Sequence, residues 1–326
     1  MKAARFHTTG GPEVLVFEDV PDPAPGPGQI LLKVEAAGVN YVDIMRRRGD
    51  PLHEPTPLPA IVGYEMAGTV AGLGAGVKSP ALGAKVFVNA RSGAYAQYAV
   101  APAESAVEIP AGMAPVKMVA LWLQGLTAAL ALKYAGRLVA GETVLVEAAG
   151  GGVGTMAVQI AKLYGAGKVI AAGSSDDKLE VARRLGADAA INYREADWVR
   201  KTWEATGGKG VDIVLESVGG KIFEQALETL APFGRQVVIG SASNQPSTIA
   251  SGSLFNHNRA IVGFGIHQYY PKPGLVQATI KELFGYVVAG RLVLQLDHVL
   301  PLSEAAAAHR LVEERKSAGK VVLLPW

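Results

Sequence analysis

One stretch constrains this chain more than any other: Val144-Leu-Val-Glu-Ala-Ala-Gly-Gly-Gly-Val-Gly154, an apolar run that breaks into glycines and resumes as Met156-Ala-Val-Gln-Ile-Ala-Lys-Leu163 at helical spacing. The pattern predicts strand, tight turn and helix. Such a turn aims backbone N–H groups and the positive end of a helix at a pyrophosphate. The dinucleotide fingerprint is imperfect, because Ala149 stands at its first glycine position, ahead of Gly151 and Gly154. A second β-type run, Lys168-Val-Ile-Ala-Ala-Gly-Ser174, arrives roughly 20 residues on, where a βαβ unit requires it. An NAD enzyme carries an acidic residue at the tip of that strand, whereas here the chain reads Gly173-Ser174-Ser175 and then Lys178. Ser174 can donate a hydrogen bond and Lys178 supplies charge, so a 2′-phosphate is accommodated and NADPH is favoured over NADH. The alternative for Lys178 is a solvated residue in the first turn of the next helix.

Strand and helix patterns alternate from about Met118 to Gly263, which predicts a parallel, doubly wound sheet. Before it, short β-type runs such as Gln29–Glu35, Lys85–Val88 and Ala94–Val100 are separated by proline and glycine and predict a β-rich domain. After it, two helical patterns and the run Lys320–Leu324 have no parallel partner left and are expected to return to that first domain. The expected division is 1–120 with 265–326, and 121–264.

A formal charge of +2 in 326 residues is too small to suggest a nucleic-acid footprint. The one dense basic cluster, Arg46-Arg47-Arg48, reads as a solvated face or as a contact for an anionic substrate tail. There are no cysteines, so disulfides and thiolate-bound metals are excluded. Six histidines, at 7, 53, 257, 267, 298 and 309, show no paired metal-ligand spacing and read as surface or structural residues. The opening residues lack the apolar core of a signal peptide and no apolar run of spanning length is evident, so a cytoplasmic protein with no membrane span is expected.

The segments Ala36–Asp43, Gly63–Gly68, Leu123–Thr127, Ala148–Gly154, Ala187–Arg194 and Gly319–Val322 together resemble the medium-chain dehydrogenase/reductase superfamily, in particular its zinc-free quinone oxidoreductase and enoyl reductase group. The resemblance covers residues 1–324. It implies an α/β fold: a Rossmann doubly wound parallel sheet plus a β-rich GroES-like catalytic domain. In zinc-dependent relatives a cysteine ligand occupies the place of Asn40 and a histidine that of Tyr64, so both ligands are missing here. The four-cysteine lobe of those relatives is missing as well.

Without a metal, the acceptor of a hydride has to be electrophilic already: a quinone, an enone or an enoyl thioester. The expected activity is therefore an NADPH-dependent reductase of such acceptors, with an NADPH-binding protein of little turnover as the rival. The resemblance implies Asn40 beside the nicotinamide ribose and substrate, with a turn-stabilising Asn before a helix as the alternative. It implies Thr127 at the carboxamide, Gly151, Gly152, Val153 and Gly154 at the pyrophosphate, and Ser174, Lys178 and Tyr193 at the 2′-phosphate. Gly240 and Ser241 suit the carboxyl end of a strand, and Lys320 matches a lysine near the cofactor, unless it is a solvated surface residue. Tyr64 is a candidate donor to a substrate oxygen or else a core tyrosine, Tyr41 is a weaker donor, and Asp43 and Glu65 orient their neighbours. By analogy with relatives, a homodimer joined along the edge that follows Ser243–Asn258 is expected.

Overall fold

The computed structural model describes residues 1–50, 56–90 and 92–326. His53, one of the six histidines, falls outside the described residues. Two compact units form, 1–123 with 296–326, and 124–295.

The first unit opens with strands β1 (Lys2–Phe6), β2 (Val16–Asp19) and β3 (Gln29–Val39), followed by helix α1 (Tyr41–Arg48). Strands β4 (Ala60–Ile61), β5 (Glu65–Leu73), β6 (Lys85–Asn89), β7 (Tyr98–Pro102) and β8 (Ala106–Glu108) complete its N-terminal part. In β3 the period-two pattern buries Ile30, Leu32 and Val34 on one face, as expected of a strand packed on a core. From Ala36 on the strand is buried on both faces, because it becomes the centre of a seven-stranded sheet.

Helix α2 (Pro115–Leu130) continues as a π-helical turn to Ala135. No spanning run was expected from the sequence, yet this helix of 21 residues passes for one by length and composition. Its most apolar window is 83% buried inside the protein, so its apolar character is that of a core helix.

In the second unit β9 (Thr143–Val146), α3 (Gly152–Leu163), β10 (Lys168–Gly173), α4 (Asp176–Arg184) and β11 (Ala189–Asn192) alternate as expected. They are followed by α5 (Trp198–Ala205), β12 (Val211–Glu216), α6 (Gly220–Glu228), β13 (Leu230–Val238), the short α7 (Gly252–Phe255) and β14 (Ala260–Gly263). The six strands pair in parallel in the order β11-β10-β9-β12-β13-β14. The order reverses between β9 and β12, and ligands of such sheets bind outside the carboxyl ends of the strands at that switch point.

The return to the first unit comes at Leu296, not near Gly265 as expected. Helix α8 (Pro273–Val288) stays with the second unit: Glu282 meets Lys133 and Tyr164, and Gln159 exchanges two hydrogen bonds with the backbone of Val293. The first unit is then closed by β15 (Leu296–Pro301), α9 (Ala305–Glu313) and β16 (Lys320–Leu324). Strand β16 pairs with β3 antiparallel, so Val39 faces Val321 and Gly38 faces Val322.

Candidate active site

In the first unit the register of three strands assembles a buried polar cluster. Gly38, near the end of β3, pairs with Val322 on one side and with Glu65, the first residue of β5, on the other. Lys320 and Glu65 thus start the two strands that flank the end of β3, and both converge on Asn40. The Lys320 ammonium donates to Asn40 Oδ1 at 2.7 Å and to Glu65 Oε1, and the Asn40 amide donates to Glu65 Oε1 at 3.0 Å. Gly38 permits this crossing: a Cβ there would lie 2.3 Å from Glu65 Oε1.

Asn40 is also the N-cap of α1. Its backbone N–H donates to Asp43 Oδ2 at 2.9 Å. Asn40 thus starts a helix, as one of its two readings has it, and its side-chain amide is held by a charged pair. Asp43 is fully buried, and that burial pushes its carboxyl up to about 7. Tyr95 donates to Asp43 Oδ2 at 3.3 Å, and His309 lies 3.1 Å from the Tyr95 hydroxyl. Burial and the neighbouring Arg47 hold His309 down at about 3, so the ring is neutral.

Several expectations change here. Lys320 is not a solvated lysine, since only 3% of it is exposed. Nor is the Arg46–Arg48 cluster one solvated face. Arg47 is fully buried, bound to Gly10 O and, in a fork, to Glu313; Arg48 pairs with Asp50 and Glu313. Arg46 sits 5.2 Å above the ring of Tyr64, which is half-buried and not a core tyrosine. Tyr41 is half-buried too, with the Arg48 guanidinium 5.9 Å from its ring. His309 is a core residue, and neither it nor Tyr95 carries a local sequence signal of its role.

The second unit holds the glycine turn at the carboxyl end of β9. Helix α3 starts with Gly151 as N-cap, and its first-turn N–H groups, on Gly152, Val153 and Gly154, have no carbonyl one helical turn back within the helix. A Cβ on Gly154 would lie 2.3 Å from Ala148 O, so only glycine lets the helix approach the strand this closely. The turn brings Lys178 near, because a Cβ on Gly150 would lie 2.7 Å from that of Lys178. Ser174 is half-buried just past β10, and Ser175 caps α4. The exposed Asp176 and Asp177, passed over in the sequence, occupy the first turn of α4, where the helix dipole stabilises negative charge.

Tyr193 is buried, donates its N–H to Gly173 O and packs its ring in the core of the unit. Thr127 is buried within α2. Gly240 and Ser241 are exposed and follow the end of β13, which stops at Val238, short of the expected Gly240.

The sequence reading also missed a pair of acids at the switch point. Glu147 follows β9, Glu216 ends β12, and both are buried. Glu147 Oε2 accepts from Ser217 N at 3.2 Å, and Glu216 Oε1 from Val218 N and Gly219 N at 2.9 and 2.5 Å. Burial and then the charge of Glu216 hold Glu147 well above the usual carboxylate range, and burial raises Glu216 as well. The folded state therefore keeps a proton that the unfolded chain loses, so stability falls as pH rises beyond about 4.3. Glu147→Gln keeps an acceptor for Ser217 and sets no charge against Glu216. It is expected to raise the melting temperature at about pH 8 and to flatten its decline with pH, which thermal scans across pH measure.

Residues 26–111 match the model of the alcohol dehydrogenase GroES-like domain, and 152–283 that of the zinc-binding dehydrogenase domain. The chain belongs to the medium-chain dehydrogenase/reductase superfamily, in its quinone oxidoreductase group. It is 36% identical to a 2-haloacrylate reductase of a Burkholderia species, over 99% of this chain and 98% of that one. It is 34% identical to quinone oxidoreductase 1 of Escherichia coli K12, over 98% of each. The crystal structure of Escherichia coli quinone oxidoreductase complexed with NADPH superposes with a TM-score of 0.93 at 32% identity, covering each chain fully.

The residues do not fit the zinc of the matched domain's description. Neither Asn40 nor Tyr64, which the resemblance places where zinc ligands stand, is an ordinary zinc ligand, and Asn40 Oδ1 and Glu65 Oε1 already accept from the Lys320 ammonium. They do fit a dinucleotide, on a glycine turn whose close helix–strand approach a Cβ at Gly154 would prevent.

Proposed function

We propose that this protein is an NADPH-dependent, metal-independent reductase of quinones or of double bonds conjugated to a carbonyl. The observation that carries this reading is the Lys320–Asn40–Glu65 cluster, in which an amide held by an ammonium and a carboxylate replaces a metal ligand. When bound, NADPH supplies a hydride to an acceptor that is already electrophilic. Gly151, Gly152, Val153 and Gly154 hold the pyrophosphate, Thr127 the carboxamide side, and Gly240 and Ser241 close the rim at the carboxyl ends of the strands. Ser174, Lys178 and Tyr193 form the 2′-phosphate corner. Asn40 orients the ribose and substrate, and the half-buried Tyr64 hydroxyl donates to the substrate oxygen where negative charge develops. Similarity to a 2-haloacrylate reductase supports activated alkenes as substrates, and similarity to quinone oxidoreductases supports quinones. An enoyl thioester is the alternative within the same chemistry.

Calorimetric titration tests the cofactor assignment. NADPH is expected to bind more tightly than NADH, and Lys178→Ala to cost NADPH about tenfold in affinity, as loss of a charge-assisted contact does. NADH affinity is expected to be nearly unchanged by that substitution. Preference for NADH in the wild type contradicts the assignment. Among the described residues strand β14 ends the sheet with one neighbour, β13, and this supports a homodimer joined along that edge. Sedimentation as a monomer at micromolar concentration contradicts it.

A further inference from the structure

We propose that Tyr95 and His309 are positioning residues for Asn40, acting through the Asp43 carboxylate. The proposal rests on the reading of Asn40 as the residue beside the nicotinamide ribose and substrate. Its basis is the direction of a buried hydrogen-bond chain. Arg47 has donors only, so in its long contact of 3.5 Å His309 Nδ1 is the acceptor. The proton of the neutral ring is then on Nε2 and points to the Tyr95 oxygen at 3.1 Å. The Tyr95 hydroxyl, with its oxygen engaged, donates to Asp43 Oδ2, beside the N–H of Asn40. The far end of the chain is anchored where Arg47 grips Glu313 with two hydrogen bonds.

The chain orients and does not conduct. A shift of each proton one step toward Asp43 would leave an imidazolate, and arginine does not replace the missing proton. What the chain sets is the ionisation of Asp43. Oδ2 already accepts two donors, while Oδ1 is buried with no partner among the described residues. A proton on Oδ1 is a buried donor without an acceptor, and a proton on Oδ2 displaces Tyr95 or Asn40. The carboxylate therefore holds the start of α1 in place and the acid loosens it.

Burial opposes the charged form and brings Asp43 to about 7, within the range of ordinary assays. The groups facing it are the Asn40 N–H on α1, the Tyr95 hydroxyl, the Lys320 ammonium on β16, which favours the carboxylate, and the Glu65 carboxylate on β5, which opposes it. From α9, His309 acts through Tyr95, with Arg47 behind it.

The test is the pH dependence of kcat for NADPH-dependent reduction of a simple quinone between about pH 5.5 and 8.5, together with melting temperatures. Wild type is expected to lose kcat toward acid with a midpoint near 7. Tyr95→Phe is expected to move that midpoint up by about one pH unit. His309→Leu should do the same, and His309→Gln, which can accept from Arg47 and donate to Tyr95, should restore it. Asp43→Asn, whose amide oxygen still accepts from Asn40, should abolish the midpoint. A midpoint that Tyr95→Phe leaves in place, or one that survives in Asp43→Asn, overturns the proposal even if both variants are less stable. Wild type that neither binds nor oxidises NADPH defeats the underlying reading instead.

Discussion

Replacing Lys320 by methionine is expected to destabilise the first unit by about 3–5 kcal/mol, because it leaves the Glu65 carboxylate buried without its cation. Lys320 is 3% exposed and Glu65 fully buried, so water does not take over the solvation of either charge. Glu65→Gln should cost a similar amount by the converse route. The double variant, with neither charge, should be more stable than either single one. Urea unfolding followed by circular dichroism measures all three. A single Lys320→Met variant within about 1 kcal/mol of wild type would show that the pair is hydrated in solution.

Gly154→Ala is expected to weaken NADPH binding by at least about 100-fold, or roughly 2.7 kcal/mol. The new methyl would lie 2.3 Å from Ala148 O and 2.6 Å from Ala149 Cα. Both are backbone atoms, so no side chain can swing aside, and either the turn opens or α3 withdraws. The first-turn N–H groups then no longer point where a pyrophosphate sits. Calorimetry decides the matter: wild-type affinity in a folded Gly154→Ala protein would mean that the turn does not hold the dinucleotide.

The parts of this molecule visible in its sequence are those set by local pattern. The run from Val144 to Leu163 declares a strand, a turn and a helix because its residues are contiguous, and the alternation that follows leads to six parallel strands. The terminal run Lys320–Leu324 lies beyond that alternation, which points to the first unit, and it pairs there with β3. Boundaries were less visible. Helix α8 looked spare once the parallel strands were counted, and only the contacts of Glu282 and of the Val293 backbone keep it with the second unit.

What the sequence conceals is convergence over distance. Asp43 meets Tyr95 52 positions away, and Tyr95 meets His309 214 positions further on. Nothing near His309 distinguishes it from five other histidines, and Arg47 stands between Arg46, which lies over the Tyr64 ring, and Arg48, which pairs with Asp50 as well as Glu313. Glu147 lies inside the most informative stretch of the chain, yet its partner Glu216 is a strand away and no local spacing links them.

On the proposed reading, Lys320 and its partners stand in for a metal in a reductase of acceptors that are already electrophilic. It is tested most directly by following NADPH oxidation by purified protein, before and after exhaustive chelation, across a panel of quinones, enones, 2-haloacrylates and enoyl thioesters. Turnover with at least one quinone or conjugated carbonyl is expected, at a rate that chelation leaves unchanged. Tight NADPH binding without turnover on any of them, or activity lost on chelation and restored by zinc, would contradict it.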